Sequence, residues 1–227
     1  MTFTNNHGIL LINKSEGKTS FSLVSLLRKI TKEKKIGHAG TLDPFAKGLM
    51  VLLIGKKYTK MSNNFLNSDK EYFAKLHLGY ITKSYDREEE KDFISDKIPS
   101  LEEVKKALEK FQGRIFQTPP MYSAKKVNGQ KLCDLARKNI VIPRESVIIE
   151  LTTKLISYNY PNLELQIKCS KGTYIRSIAN DLGQILTCGA YLDSLTRTRS
   201  GNFHLKDAID HEKLNESVNL KPYLLQC

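Results

Sequence analysis

The twelve residues from Gly37 to Gly48, GHAGTLDPFAKG, hold one carboxylate, one imidazole and three glycines. Gly37, Ala39 and Gly40 leave room for something large to approach the backbone. A single carboxylate in such a loop has two readings. Asp before Pro is a standard helix start, in which Asp43 caps free N–H groups and Pro44 takes the first helical position. The other reading is chemistry, with Asp43 as a lone acid or nucleophile. His38 can stack on a base, titrate, or hold the loop.

CSKGTYIRSIANDLG, Cys169 to Gly183, is the second candidate. A strand ends near Ser170, Gly172 turns the chain, and a helix starting near Tyr174 presents Tyr174 and Arg176 in its first turn. An arginine there gains nothing from the helix dipole. Either it is an ordinary surface residue, or it pairs with a carboxylate or phosphate brought from elsewhere. SEGKTS, Ser15 to Ser20, ends like a phosphate-binding loop. That loop needs a glycine five positions before Gly17, where Ile12 stands, so the nucleotide reading fails.

The elements that must position these residues follow from periodicity. Gly8 to Asn13 reads as a short buried strand. Thr19 or Ser20 caps a helix running to about Thr31, with Val24, Leu27 and Ile30 on one face. Leu49 to Ile54 is a continuous apolar run, the mark of a strand covered on both faces. Tyr72, Ala74, Leu76 and Leu78 alternate with other residues, as do Leu163, Leu165, Ile167 and Cys169, giving two further strands. Ser100 opens a capping box with Glu103 ahead of a stripe at Leu101, Val104, Leu108 and Phe111. Ile175, Ile178, Ala179, Leu182, Ile185 and Leu186 follow the helical template. Together they predict a mixed α/β fold around one large sheet, in a single domain over 1–227.

Two segments stand apart. Lys83 to Lys97 is highly charged, contains Glu88-Glu89-Glu90, and reads as a solvated loop. Pro119 to Pro143 is bracketed by prolines, shows no core-like stripe, and carries Lys125, Lys126, Lys131, Arg137 and Lys138. It is either a basic flap that grips a polyanion or a plain surface hairpin and helix.

Composition narrows the class. Lys and Arg number 36 against 24 Asp and Glu, a net charge of +12 over 227 residues. Such a surplus fits a phosphate backbone, whose condensed counterions it displaces, or else a merely basic soluble protein. Cys133, Cys169, Cys188 and Cys227 form no C-x-x-C pair, which excludes a zinc-type spacing and a disulfide framework. The N-terminal stretch lacks a signal-peptide pattern and no segment has the length of a membrane span, so the chain reads as cytoplasmic.

Six blocks in order resemble the TruB-type tRNA pseudouridine synthases: GILLINKSEGKTS, GHAGTLDPFAKGLMVLLIGKKYTK, KEYFAKLHLG, QTPPMYSAKKVNGQKL, CSKGTYIRSIANDLG and LTRTRSGNF. The resemblance covers nearly the whole chain. It implies a mixed, mostly antiparallel central sheet flanked by helices, and isomerisation of uridine 55 in the tRNA T loop. By the same resemblance Asp43 matches the catalytic aspartate, a role compatible with a helix start. Tyr72 matches the tyrosine stacking on the target base, and Arg176 the arginine paired with the catalytic carboxylate. Tyr174 and Leu195 match pocket-lining positions, Lys14 a lysine near the site, and His38 a residue that helps seat the flipped RNA. Residues 121–143 match a thumb-like RNA-binding insertion. The implied partner is the T arm and loop of tRNA, bound by a monomer, with no metal or cofactor. Two departures are visible. Thr82-Lys83-Ser84-Tyr85-Asp86 replaces a more acidic stretch and is expected to be peripheral. The chain stops at Cys227, about where many relatives begin a small C-terminal RNA-binding domain, so none is expected here. A different class of function, a factor that opens and folds the tRNA elbow without catalysis, also fits the charge and the insertion.

Overall fold

A computed structural model describes residues 7–226; Cys227 and the first six residues lie outside the described range. The chain forms two compact units, one of residues up to Tyr72 together with those from Leu195, the other Phe73–Ser194. The first unit opens with β1 (Gly8–Lys14), α1 (Ser20–Thr31), β2 (Ile36–His38), β3 (Lys47–Ile54), α2 (Lys56–Lys60) and α3 (Ser62–Leu66). β4 (Lys70–Leu78) starts in the first unit and ends in the second. The second unit continues with β5 (Tyr80–Ile81), β6 (Asp92–Phe93), α4 (Leu101–Leu108), β7 (Gln112–Gln117), β8 (Lys126–Val127) and β9 (Gln130–Lys131). Then come α5 (Leu132–Ala136), β10 (Val147–Asn159), β11 (Asn162–Cys169) and α6 (Ile175–Ile185). β12 (Ala190–Ser200) leads back to the first unit, which closes with β13 (Phe203–His204), β14 (Ile209–Asp210) and β15 (Leu224–Leu225). This is the mixed α/β class read from the sequence, with mostly antiparallel pairings.

In the first unit β1 lies antiparallel to β3 from Gly8↔Ile54 to Lys14↔Gly48. β14 joins β1 in parallel and β15 joins it antiparallel. β3 also pairs with β2, and runs parallel to β12 at Thr196↔Lys47 and Arg197↔Gly48. Every residue of β3 after Lys47 is buried, as its unbroken apolar run requires. Gly48 permits the close pairing: a Cβ there would lie 2.5 Å from the Arg197 carbonyl oxygen, and its φ of 106° disfavours any side chain. Thr19 caps α1, its Oγ1 accepting from the Ser22 amide at 3.0 Å.

In the second unit β10 lies antiparallel to β7 and β11. The inward residues of β11, Leu163, Leu165, Ile167 and Cys169, are buried as their alternation demands. The Ser100–Glu103 capping box forms at α4. Leu101, expected in that helix's apolar stripe, is exposed, because it occupies the first helical turn ahead of the buried Val104, Ala107 and Leu108.

Two loop readings are corrected. Thr82, Ser84 and Asp86 are 3%, 3% and 4% exposed, so the stretch expected to be peripheral is interior at every second residue. The solvated reading holds only further on, where Glu88 to Phe93 is mostly exposed and β6 pairs back on β5. The insertion does have a core of its own. Met121, Leu132 and Ala136 are buried, with Tyr122, Val127, Leu135 and Ile142 packed on them. These residues come from loop, hairpin and a five-residue helix, so no single period reveals them. Asn128 and Gly129, both at positive φ, turn the β8–β9 hairpin.

Candidate active site

Asp43 does not start a helix. It opens a tight turn in the loop between β2 and β3, with the Ala46 amide donating to the Asp43 carbonyl at 3.1 Å and Pro44 in the second position. The strand β3 begins immediately afterwards, at Lys47. The helix-start expectation is corrected because β3 claims the backbone that a helix would need.

The turn is held on both sides by the SEGKTS segment. The Ser20 hydroxyl donates to the Leu42 carbonyl and accepts from the Leu42 amide, each at 2.9 Å. Beyond Asp43, the Pro44 carbonyl accepts from the Gly17 amide at 2.9 Å and from Lys14 Nζ at 3.1 Å. Lys14 is fully buried and also donates to the carbonyls of Ser15 and Lys18. A buried ammonium is costly unless hydrogen-bonded, and here carbonyl dipoles supply that solvation. The loop that fails as a nucleotide cradle thus serves as the seat of the Asp43 turn.

Further back along the same loop, Arg197 of β12 is 1% exposed. Its Nε donates to the Leu49 carbonyl at 2.7 Å and its Nη2 to the Gly40 carbonyl at 3.2 Å. The Ala39 amide adds a bond to the Val51 carbonyl. His38, at the end of β2, is half-buried, and burial, followed by the positive charge of Arg197, pushes its pKa below the ordinary imidazole value. The shift favours the neutral ring, whose buried Nδ1 has no hydrogen-bond partner among the described residues. Tyr72 lies buried on β4 and Leu195 buried on β12.

In the second unit, Tyr174 precedes α6, and Gln117 at the end of β7 fixes it through both backbone groups. The Tyr174 amide donates to Gln117 Oε1 at 2.8 Å, and Gln117 Nε2 donates to the Tyr174 carbonyl at 3.0 Å. Arg176 is buried, with Nη1 3.4 Å from Asp86 Oδ2. It also donates to the Ser84 carbonyl at 3.0 Å and the Tyr122 carbonyl at 2.8 Å. Asp86 in turn accepts from the Ser84 hydroxyl at 2.7 Å and the Glu88 amide at 3.1 Å. A carboxylate brought from elsewhere in the chain therefore does meet this arginine. It comes from the stretch that the sequence left at the periphery.

The Arg176–Tyr122 bond and a Ser177 hydroxyl bond to the Thr118 carbonyl stitch the start of α6 to the base of the insertion. Of the insertion's cations, Lys126, Lys131, Arg137 and Lys138 are exposed and Lys125 is half-buried. Lys126, Lys131 and Lys138 line an open cavity of about 350 Å³ with Asp134 at its side. Ser20, Arg197, Asp86 and Gln117 carry positions that spacing did not single out. Only Ser20 had a local signal, as one of two candidate caps for α1.

The fold is shared with a solved Cbf5-Nop10-Gar1 complex, at TM-score 0.72 and 26% identity, covering 92% of this chain and 54% of that one. A solved H/ACA RNP bound to a substrate RNA containing 2′-deoxyuridine has the same fold, at TM-score 0.68 and 24% identity, over 92% of this chain and 52% of the other. Residues 28–175 match the model of the TruB family pseudouridylate synthase N-terminal domain. Residues 176–224 match that of the tRNA pseudouridylate synthase B C-terminal domain. These matches place the chain among the pseudouridine synthases, isomerases that act on uridine in RNA. A tRNA pseudouridine synthase B of Protochlamydia amoebophila is 57% identical over 96% of this chain and 84% of its own length. That of Chlamydia pneumoniae is 53% identical over 96% of this chain and 93% of its own. The chain belongs to the TruB family.

Proposed function

We propose that this chain converts uridine 55 in the T loop of tRNA to pseudouridine, with Asp43 as the catalytic carboxylate. The observation that carries this reading is the Asp43 turn, whose flanking residues are fixed at Leu42 and Pro44. Such fixing holds a reacting group near its productive geometry without a reorganisation cost at the moment of reaction.

Extruding the target base costs a few kcal/mol of stacking. Stacking on an aromatic ring such as Tyr72 returns roughly 1–3 kcal/mol. Within the bound complex the C1′–N1 bond breaks, uracil rotates and C5 bonds to C1′; the C5 proton leaves to solvent and N1 takes up a proton in its place. The exchange takes up no water and transfers no net electrons, so one carboxylate meets its balance. Tyr174 and Leu195 line the base, and neutral His38 helps seat the flipped nucleotide. Arg176, held by Asp86, contributes a fixed positive charge. Lys125, Lys126, Lys131, Arg137 and Lys138 neutralise backbone phosphates of the T arm.

The test is tritium release from tRNA labelled at C5 of uridine. Wild type should release one equivalent per tRNA, a transcript with cytidine at 55 none, and Asp43→Asn none, with RNA affinity kept within a few-fold. Turnover by Asp43→Asn would overturn the reading. The basic insertion with its own core also favours a second role, opening and refolding the tRNA elbow. That role predicts full folding activity in Asp43→Asn, and a folding assay without effect would exclude it.

A further inference from the structure

The SEGKTS segment fails as a nucleotide cradle, yet its last residue makes a contact aimed at one residue of the Asp43 loop. Ser20 is 4% exposed and sits at the first position of α1. Its hydroxyl reaches across 22 residues to bracket Leu42, donating to the carbonyl and accepting from the amide at 2.9 Å each. A hydroxyl engaged with both polar groups of one residue fixes the rotation of its peptide planes as well as its distance. The residue whose direction those planes set is Asp43.

Helix stability does not explain the arrangement. The cap of α1 is Thr19, whose Oγ1 takes the Ser22 amide at 3.0 Å. Ser20 faces inward, and its other neighbour is Met50 Sδ at 3.8 Å on β3. Neighbouring residues Thr19 and Ser20 thus divide two tasks, one ending the helix and the other holding the loop.

We infer that Ser20 is a positioning residue for Asp43: its hydroxyl sets the backbone direction from which the carboxylate approaches the target nucleoside. The inference rests on the reading of Asp43 as the catalytic carboxylate. It predicts that losing the hydroxyl changes the rate of the bound complex more than its formation. A misplacement of the order of an ångström lowers a rate roughly 100-fold.

The test compares Ser20→Ala, Ser20→Cys and Thr19→Ala with wild type and Asp43→Asn. Single-turnover tritium release at saturating tRNA, the tRNA dissociation constant and the thermal midpoint are measured on each. Thr19→Ala removes the helix cap one residue away without touching Leu42, so it controls for destabilisation of α1. Ser20→Ala should slow the saturating rate roughly 10- to 100-fold, with affinity within about 3-fold of wild type. Ser20→Cys, with a weaker donor and acceptor of similar size, should fall between. Thr19→Ala should lower the thermal midpoint and leave the rate within about 2-fold. The proposal is overturned if Ser20→Ala and Ser20→Cys react as fast as Thr19→Ala. It is equally overturned if their losses lie in affinity alone. Should Ser20→Ala fail to fold, the rate of Ser20→Cys against Thr19→Ala decides. Turnover by Asp43→Asn signals failure of the Asp43 reading itself, an outcome separate from any result at Ser20.

Discussion

Asp86 and Arg176 are removed from water together, each under about 8% exposed at the side chain, and both are tied to backbone groups as well as to each other. Removing one partner from a buried, hydrogen-bonded pair costs about 3–5 kcal/mol. Asp86→Asn should therefore lower unfolding free energy by an amount near that range in denaturant titration. It should also slow tritium release, since Arg176 loses the anchor that fixes its direction. An Asp86→Asn protein as stable and active as wild type would remove Asp86 from the site. Asp43 sits on a turn whose flanking residues, Leu42 and Pro44, are held through their backbone groups. Asp43 was visible as a lone carboxylate, whereas Asp86 lay in a charged stretch read as peripheral. That Asp86 would meet Arg176 was not visible, because a buried polar group finds its partner through the fold and not along the chain.

At the scale of elements, the β3–β12 approach and the insertion make separate predictions. A Cβ at Gly48 would meet the Arg197 backbone at 2.5–2.7 Å and would impose a φ of 106° on a side chain. Gly48→Ala should destabilise by about 2 kcal/mol or more, read as a drop in thermal midpoint; a neutral result would mean β3 and β12 can separate without cost. The insertion folds around Leu132, which is fully buried among Met121, Val127 and Ala136. Leu132→Ala should melt the insertion, weakening tRNA binding at least 10-fold while the main thermal transition moves little. A large fall in that transition with unchanged affinity would reverse the assignment. The strands and longer helices were legible because their burial repeats every second residue or every third and fourth. The insertion's core was not, since its apolar residues come from three short elements with no shared period.

Charge and titration act on the whole molecule. The net charge of +12 makes RNA affinity salt-dependent, and each phosphate contact removed lowers the log–log slope by about 1. Replacing Lys126, Lys131 and Lys138 with Gln should cut that slope by about 2–3, measured by binding between low and moderate salt. His38, His77 and His211 all have their pKa pushed down, with burial the leading cause in each. The unfolded chain then holds more protons than the folded one as pH falls below the ordinary imidazole value. Stability is full above that value and declines as pH drops toward the folded pKa values. Calorimetry should find the thermal midpoint lower at pH 5.5 than at pH 7.5. A flat or rising midpoint would show that these rings protonate within the fold. Among the described residues no helix is long and apolar enough to cross a membrane.

The sequence by itself determined the mixed α/β class, the alternating strands, the Ser100 cap, and the family through six ordered blocks. These are local properties, written in neighbouring residues and their periods. Tertiary structure alone decided that Asp43 opens a turn and not a helix, because β3 takes up the backbone at Lys47. It also decided the polar contacts around the candidate site. Ser20 reaches Leu42 across 22 residues, Arg176 reaches Ser84 across 92, and Arg197 reaches Leu49 across 148. Alternation reveals which side chains turn inward. Only the folded chain brings a donor to its acceptor, because that requires the entropy of closing long loops to be met by the packing of the whole.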